Sequence, residues 1–544
     1  MKPGLLNPIS ALLRRRHLRR LLVLRRAWQE VIDGPDPDAA SRVASELSLH
    51  RVPVPRWLLL LSGLPRELDG AVEITLRQAF LTQLYSHLLP GLLLLVTDRA
   101  VALPIPAAWH APLLAHGFPL RTRGSAWLCG GMAVTGLARG MRQIMRTLIS
   151  ASRGRLWAAP GAPYDVAVEL PASFLRGTVH NADYNFSDWL QRRAPEGGLW
   201  LHSNRRVPEK GRKIAESPLP DFPDLSARAA FGFSALRLTV GAMVGLLFAR
   251  PEGAIILPET VMLAHARAVG VDRLARNYYF ENSRWFSRPL FTRWAAGAAG
   301  SRAVLAFYST NTDECLRLAP SDRMPCFTPG YQSMDWDRYL VWDDHQADLL
   351  SAWGHERLRA CVVGPVPLTD STADLPHIPQ RSVAVFDVAP LRPAGLAAIG
   401  LVSEYYRDSI AAAFLDDLRE QSRHAGITLV LKQKRERKSS APPLYEAALR
   451  RMQNAPHAII VDPQISAARV VAACAATVSM PFSSPSLIAA REGKPAIFYD
   501  PTGRLIASSR QAHGLNLIQG TDALGHWLQG TVSAGMAAPS GENE

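Results

Sequence analysis

The sequence predicts an α/β protein built from two doubly wound, Rossmann-like domains, and three observations carry that reading. Its 544 residues are 48% apolar and 20% charged, enough for two cores of ordinary size and too apolar for a disordered chain. Short apolar runs alternate with helical patterns along most of the length, as parallel strands joined by crossover helices do. Near residue 360 the alternation restarts, which divides the chain into a basic arm and linker (1–50), a first domain (51–359), a second domain (360–530) and a flexible tail (531–544).

The arm holds Arg14, Arg15, Arg16, Arg19, Arg20, Arg25 and Arg26 among leucines, so it reads as a basic amphipathic helix suited to an anionic membrane surface or, more plainly, as a solvated helix packed on the protein. Gly34-Pro35-Asp36-Pro37-Asp38 follows as a turn or linker. In the first domain, Leu92 to Val96, Val101 to Leu103, Ala254 to Leu257, Asn277 to Phe280, Ala303 to Tyr308 and Leu340 to Trp342 read as strands. Trp109 lies in an expected helix, and Val261 to Val269, Leu290 to Ala299 and Asp343 to Leu358 read as helices. Gly197 to Asp224 and Thr312 to Asp337, rich in Pro, Ser and charge, read as loops.

The second domain should open with strand Ala360 to Val363. Strands Ser382 to Asp387, Thr428 to Lys432, Ala458 to Val461, Val478 to Met480 and Ala496 to Tyr499 then alternate with helices Leu401 to His424, Pro443 to Gln453, Ser466 to Ala475 and Pro485 to Glu492. Such a series packs naturally as a doubly wound sheet.

Composition narrows the setting. Cys129, Cys315, Cys326, Cys361 and Cys474 form no close pair and no histidine cluster, so neither a disulfide framework nor a zinc site is suggested and a cytoplasmic location is expected. The run Leu238 to Ala249 is too short to span a bilayer. Although the isoelectric point is near 9.9, the cations concentrate in the arm and one turn, and no nucleic-acid motif accompanies them.

The most informative stretch is Val478-Ser479-Met480-Pro481-Phe482-Ser483-Ser484-Pro485-Ser486. It places serines between a buried strand and a helix that starts at Pro485, with Ser484 as the expected N-cap. Backbone N–H groups and serine hydroxyls at such a turn suit a phosphate or diphosphate, although a merely well-capped helix has the same pattern. Strand Thr428 to Leu431 ends in Lys432-Gln433-Lys434-Arg435-Glu436-Arg437-Lys438. Ligands of doubly wound sheets sit outside the carboxyl ends of strands, so these cations and the serine turn can face one crevice. Lys432, nearest the strand, is the leading candidate for neutralising a leaving phosphate, with Lys434 and Arg435 beside it and Ser483, Ser484 and Ser486 opposite. A solvated basic turn is the plain alternative.

The Pro-Phe-Ser-Ser-Pro stretch resembles the signature of the bacterial PFTS-motif polysaccharide-biosynthesis family, with Ser483 in place of threonine. Further blocks resemble that family in the same order: Asn282 to Leu290, Phe307 to Asn311, Tyr339 to Asp343 and Val363 to Pro367, so the resemblance runs over roughly residues 90 to 505. The resemblance implies a layout similar to GT-B glycosyltransferases, two Rossmann-like domains facing a cleft with the nucleotide-sugar donor in the second and the acceptor in the cleft. It also implies that nucleotide sugar is a co-substrate and that no cofactor is carried. The second half is similar to capsule transferases and sialyltransferases, except that Lys432 is followed by Gln433-Lys434-Arg435 where those have Pro-His-Pro.

An inverting transfer needs a general base to take the acceptor hydroxyl proton. Glu281, directly after Tyr278-Tyr279-Phe280, and Glu259, after Ile255 to Pro258, are the candidates, each also readable as a helix-start or salt-bridge carboxylate. Asn282, Arg288, Asp343, His345 and Pro481 are expected to line the cleft, Arg288 either on an acidic substrate group or paired with Glu281. Asp36-Pro37-Asp38 and Asp335-Trp336-Asp337 have the metal-binding spacing of single-domain transferases but lie in a linker and a loop, so no metal is expected. The function expected is glycosyl transfer to a growing or lipid-linked surface glycan, O-antigen or capsule, at the inner face of the inner membrane. A CDP-polyol phosphotransferase and a non-enzymatic scaffold of polysaccharide assembly are the alternatives.

Overall fold

The computed structural model describes residues 50–81, 102–115, 120–170, 186–203, 213–282, 287–310, 333–352, 354–366, 373–388, 390, 407–433, 442–505 and 512–535. The arginine arm, the Leu92 to Val96 run, Val101, Ser283 to Phe286, Asn311, Lys434 to Lys438 and the last nine residues lie outside them.

Two parallel sheets organise the chain. The first contains β1 (Asp165–Ala167), β2 (Leu199–His202), β3 (Lys213–Ala215), β4 (Asn277–Glu281), β5 (Arg302–Ala306), β6 (Arg338–Val341) and β7 (Ala360–Val362), in the order β3-β2-β1-β4-β5-β6-β7. The second contains β8 (Ser382–Phe386), β9 (Thr428–Lys432), β10 (Ala458–Val461), β11 (Ala476–Ser479), β12 (Ala496–Asp500) and β13 (Asn516–Gln519), in the order β10-β9-β8-β11-β12-β13. In each sheet the first six strands run third, second, first, fourth, fifth, sixth, which is the Rossmann order. Strands such as β8 and β11 are buried along their whole length, as parallel strands covered on both faces must be.

The helices used below are α1 (Arg56–Leu61), α2 (Thr122–Ser152), α3 (Leu225–Leu247), α4 (Glu252–Ile255), α5 (Leu257–Val269), α6 (Leu290–Ala299), α7 (Asp344–Ala352), α8 (Asp408–Ala425), α9 (Pro443–Gln453), α10 (Ala467–Ala473), α11 (Pro485–Arg491) and α12 (Thr521–Gly535). Helices α1 to α5 form a layer on the first sheet's side, with α2, α3 and α4 all packed on α5 or on one another. The larger hydrophobic core follows this layer into the first sheet and on to one face of the second at Ala384, Phe386, Val430 and Ile488, and a separate one fills the second sheet's other face around Phe414, Leu431 and Tyr499.

Several expectations are corrected. Ala254 to Leu257 is helical, not a strand: Pro251 and Pro258 stand at the starts of α4 and α5, where a missing N–H does no harm, and a four-residue apolar run does not by itself distinguish the two states. The expected loop Gly197 to Asp224 contains β2 and β3. Strand Ala360 to Val362 pairs with β6, so it closes the first sheet and the second opens at Ser382. Part of the expected tail, Thr531 to Gly535, is the end of α12.

Candidate functional site at the strand ends

A doubly wound sheet leaves a crevice where its strand order reverses, because helices from the two flanking strands leave on opposite faces. In the second sheet the reversal lies between β8 and β11, and the Met480 to Ser484 turn emerges there. Met480 extends the pairing by donating its N–H to the Phe386 carbonyl at 2.9 Å. Phe482 has φ +62° and a buried ring in the second core, a strained position for a side chain with a Cβ that the packing holds. Its left-handed turn presents Ser483 and Ser484, both half-buried, at the strand edge. Ser483 Oγ donates to the Met480 carbonyl at 2.9 Å.

Lys432 ends β9, on the other side of β8. Lys432 pairs in register with Phe386, which pairs with Ser479. Two strand spacings, roughly 10 Å, therefore separate the lysine's backbone from the root of the serine turn, on one edge of one sheet. The ammonium donates to the carbonyls of Gln433 at 3.3 Å and Pro463 at 3.1 Å. Burial pushes its pKa below the ordinary lysine range, against the pull of Asp387 and Asp462, which favour the charged form.

The first sheet reverses between β1 and β4. Glu281 ends β4 and is buried. Across the seam, Ala167 pairs with Tyr279, so Glu169, two residues on, comes level with Glu281. Glu169 has φ +54°, and its N–H donates to Nδ1 of His202 at 3.0 Å. Burial, with the charge of Arg146, pushes His202 down to about 3, so it is the neutral ring that holds this backbone in place.

The two edges meet through the loop after β5. Asn282 Oδ1 accepts the Tyr308 N–H at 3.2 Å, Trp342 Nε1 donates to the Phe307 carbonyl at 2.7 Å, and the Gln346 amide donates to the carbonyls of Ser309 and Thr310 at 3.1 and 3.0 Å. So clamped, the loop places the Thr310 N–H 3.3 Å from Ser484 Oγ. Ser484 precedes α11 but makes no side-chain cap bond within it; its hydroxyl joins the domains instead. A second bridge runs from Asp343 Oδ2 to His513 Nδ1 at 2.6 Å, with His345 against the His513 ring. Burial opposes ionisation of Asp343, yet the His513 contact, the Gln346 N–H and His345 together hold its carboxyl below the usual range.

Other predicted residues are corrected by their surroundings. Arg288, 5% exposed, grips Asp337 with both terminal nitrogens at 2.9 and 2.8 Å and bonds Thr292 and the Asp335 carbonyl, so its cationic head is engaged in packing α6 against the loop before β6 and is not presented to a cleft. Asp335 pairs with Arg293, so the two carboxylates of Asp335-Trp336-Asp337 answer arginines. Glu259 accepts the Leu290 N–H at 3.0 Å at the start of α6, and burial raises its pKa. Ser486 is fully buried, its hydroxyl donating to the Ile497 carbonyl at 2.9 Å and lying 2.7 Å from Ser479 Oγ, and so packs α11 onto the sheet instead of facing the crevice. Pro481 is likewise buried. Lys434 and Arg435 lie outside the described residues. Among the described residues no group of three or more His, Cys, Asp or Glu side chains has an arrangement that could hold a metal ion.

The model of the family described as "Polysaccharide biosynthesis PFTS motif protein" matches residues 242–528, more than half of the chain. The chain belongs to that family. No curated protein sequence matches it. Among solved structures it is similar to Arabidopsis thaliana UGT89C1 complexed with UDP-L-rhamnose, at 9% identity and TM-score 0.36 over 68% of this chain and 90% of that one. It is also similar to Medicago truncatula UGT71G1 complexed with UDP-glucose, at 12% identity and TM-score 0.32 over 68% and 92%. A ugt transferase from Siraitia grosvenorii in complex with UDP gives 12% identity and TM-score 0.32 over 70% and 92%.

Within this PFTS-motif protein the separate sequence blocks converge. Asn282, Phe307 to Thr310 and Trp342 to Asp343 all serve the loop that touches the Pro-Phe-Ser-Ser turn. Gly364 of the fourth block, at φ +81°, lies under the Arg491 guanidinium, where an added Cβ would come within 1.3 Å of Nη1. Sequence reasoning missed Glu169, His202, Gln346 and His513. Glu169 and His202 left no motif, and Gln346 and His513 act through partners in other blocks. A histidine followed by glycine at His513 and a glutamine three residues past Asp343 were the available signals.

Proposed function

We propose that this protein is a metal-independent glycosyltransferase of bacterial surface-polysaccharide assembly, taking a sugar from a nucleotide-activated donor and adding it to a glycan or lipid-linked acceptor. The observation that carries the reading is the placement of Lys432 and Ser483–Ser484 on one carboxyl edge, at and beside the strand-order reversal of the second sheet. Family membership supplies the polysaccharide context. In this reading the donor phosphates lie against the Lys432 ammonium and the serine hydroxyls. As the bond from the sugar's anomeric carbon to the phosphate oxygen breaks, the electron pair leaves with the phosphate, and those donors stabilise its charge.

The acceptor oxygen forms the new bond to the anomeric carbon, and its proton passes to a carboxylate. Glu281 is the base, at the reversal of the first sheet and one strand from the loop that carries Thr310 to Ser484. The protein works in the cytoplasm, and the arginine arm holds it to the inner membrane.

Calorimetric titration with UDP, GDP, CMP and TDP compounds tests the donor site. One nucleotide should bind, and Lys432→Ala or the Ser483→Ala/Ser484→Ala pair should weaken that binding by at least about tenfold. Failure of every nucleotide to bind sinks the proposal. Product mass then separates an added sugar from an added polyol phosphate, and turnover that survives EDTA supports the metal-free route.

A further inference from the structure

Helices α2 and α3 are built inside out for a protein surrounded by water. The buried positions of α2 are Ser125, Cys129, Ala133, Gly136, Gly140, Thr147, Ser150 and Ala151, every one small. Six of its large apolar side chains are exposed instead, Leu128 to one side and the five of the stripe, Trp127, Val134, Met141, Met145 and Ile149, with Trp127 at 84%. At 100° per residue these five fall within one arc of about 80°. Helix α3 shares the exposed stripe and part of the small face: Ala235, Gly241, Ala242 and Gly245 are buried together with Phe231 and Leu238, while Phe233, Leu236, Val240, Met243 and Leu247 form an exposed stripe of similar width. The small faces allow close contact that larger residues would forbid: a Cβ on Gly136 would meet the Ala254 carbonyl at 2.3 Å, and one on Gly241 would meet Ser62 Oγ at 2.6 Å.

A water-facing helix carries its polar residues outward. Small residues between helices with bulky apolar ones outward is the arrangement expected of helices whose outer solvent is hydrocarbon. Charge points the same way. Helices α1, α2 and α3 carry seven arginines and no Asp or Glu, and Arg123 and Arg142 flank the α2 stripe. Trp57 and Phe248, both exposed and in edge-to-face contact, add aromatic groups of the kind that settle at headgroup depth.

We infer that this helical layer is a membrane-docking surface, its two stripes dipping into the acyl boundary of an anionic bilayer while the arginines meet the headgroups. Helix α3 is long and apolar enough to cross a membrane, with mean hydropathy 1.6. It lies along the bilayer instead, because α2, α4 and α5 flank it within the first domain. The stripes are made of residues outside the arginine arm, and the inference does not rest on the glycosyltransferase reading.

Sedimentation of the full-length protein with vesicles of phosphatidylcholine, with and without phosphatidylglycerol, tests the inference. A variant carrying Trp127→Gln, Met141→Gln, Val240→Gln, Met243→Gln and Leu247→Gln changes only exposed positions. Its partition onto anionic vesicles should fall at least about tenfold, with circular dichroism and nucleotide affinity unchanged. A full-length variant with the seven arm arginines changed to Gln should keep the stripe-dependent part. Wild-type protein that ignores both vesicle types, or a stripe variant that binds like wild type, overturns the inference. So does conversion of a dimer to a monomer by the same changes without any vesicle effect, which would give the face to a second copy. Photo-crosslinks from position 240 to residues 1–49 in the absence of vesicles would likewise assign it to the chain's own N-terminal segment.

Discussion

The two sheets share one strand order and differ in what they place at its reversal. Between β1 and β4 stand carboxylates, Glu169 and Glu281; between β8 and β11 stands a hydroxyl-bearing turn, with the Lys432 ammonium one strand away. Topology supplies two equivalent crevices, because parallel strands with helices leaving on opposite faces always open one. Chemistry decides what each can hold. The edge with the ammonium and the hydroxyls, where Asp387 and Asp462 favour the charged form of Lys432, suits an anion, and the edge with Glu169 and Glu281 suits removal of a proton.

The sharpest way to break this comparison is to neutralise the acidic side alone. Glu281→Gln should lower transferase turnover by roughly 10² to 10⁴ with nucleotide affinity unchanged, measured by product formation and calorimetry; equal loss of both would end the division of labour. On the other edge, Lys432→Ala should weaken nucleotide binding by about 1.5–3 kcal/mol, the worth of a hydrogen bond to a charged group, at unchanged secondary structure.

Arg288→Ala separates packing from substrate recognition. It should reduce stability by about 2–3 kcal/mol in denaturant titration, less than a fully buried pair because Asp337 is 30% exposed, while the Michaelis constant for the proposed transfer, measured on the remaining folded protein, stays put. Gly364→Ala, at a positive φ beneath the movable end of Arg491, should cost about 1–2 kcal/mol.

The smallest expected effect concerns the Asp343–His513 bridge between the domains. Its folded carboxyl lies below the ordinary aspartate value of about 3.9, so the stability it adds is present above that pH and is lost as the pH falls through the folded value. Asp343→Asn should therefore flatten the acid limb of the stability profile below about pH 4.

A second contrast lies in the helices. Helix α8 buries Phe414, Leu415 and Leu418, and the expected helix Leu401 to His424 matches it from Asp408 on, residues 401–406 lying outside the described residues. Helix α2, at 31 residues the longest described, went unread because its buried face is made of Gly, Ala, Ser, Thr and one Cys, which give little hydrophobic periodicity. The site divides similarly. Lys432 and Glu281 could be placed at strand ends because each closes a recognisable apolar strand, and Ser483 and Ser484 in the turn that follows one. Arg288 and Ser486 were misread, because a charge or hydroxyl beside a motif looks the same in sequence whether its partner is a ligand or a neighbouring chain segment.

Local pattern alone determined the α/β class, most strands of the second sheet and the turn that carries the serines, since period, proline placement and strand-end charge are properties of consecutive residues. Only the tertiary structure decided that Ala360–Val362 belongs to the first sheet, that Ser484 meets Thr310 instead of capping its helix, and that Asp343 meets His513. Those outcomes depend on residues far apart in the chain competing for the same hydrogen bonds, and that competition is settled only when the sheets pack.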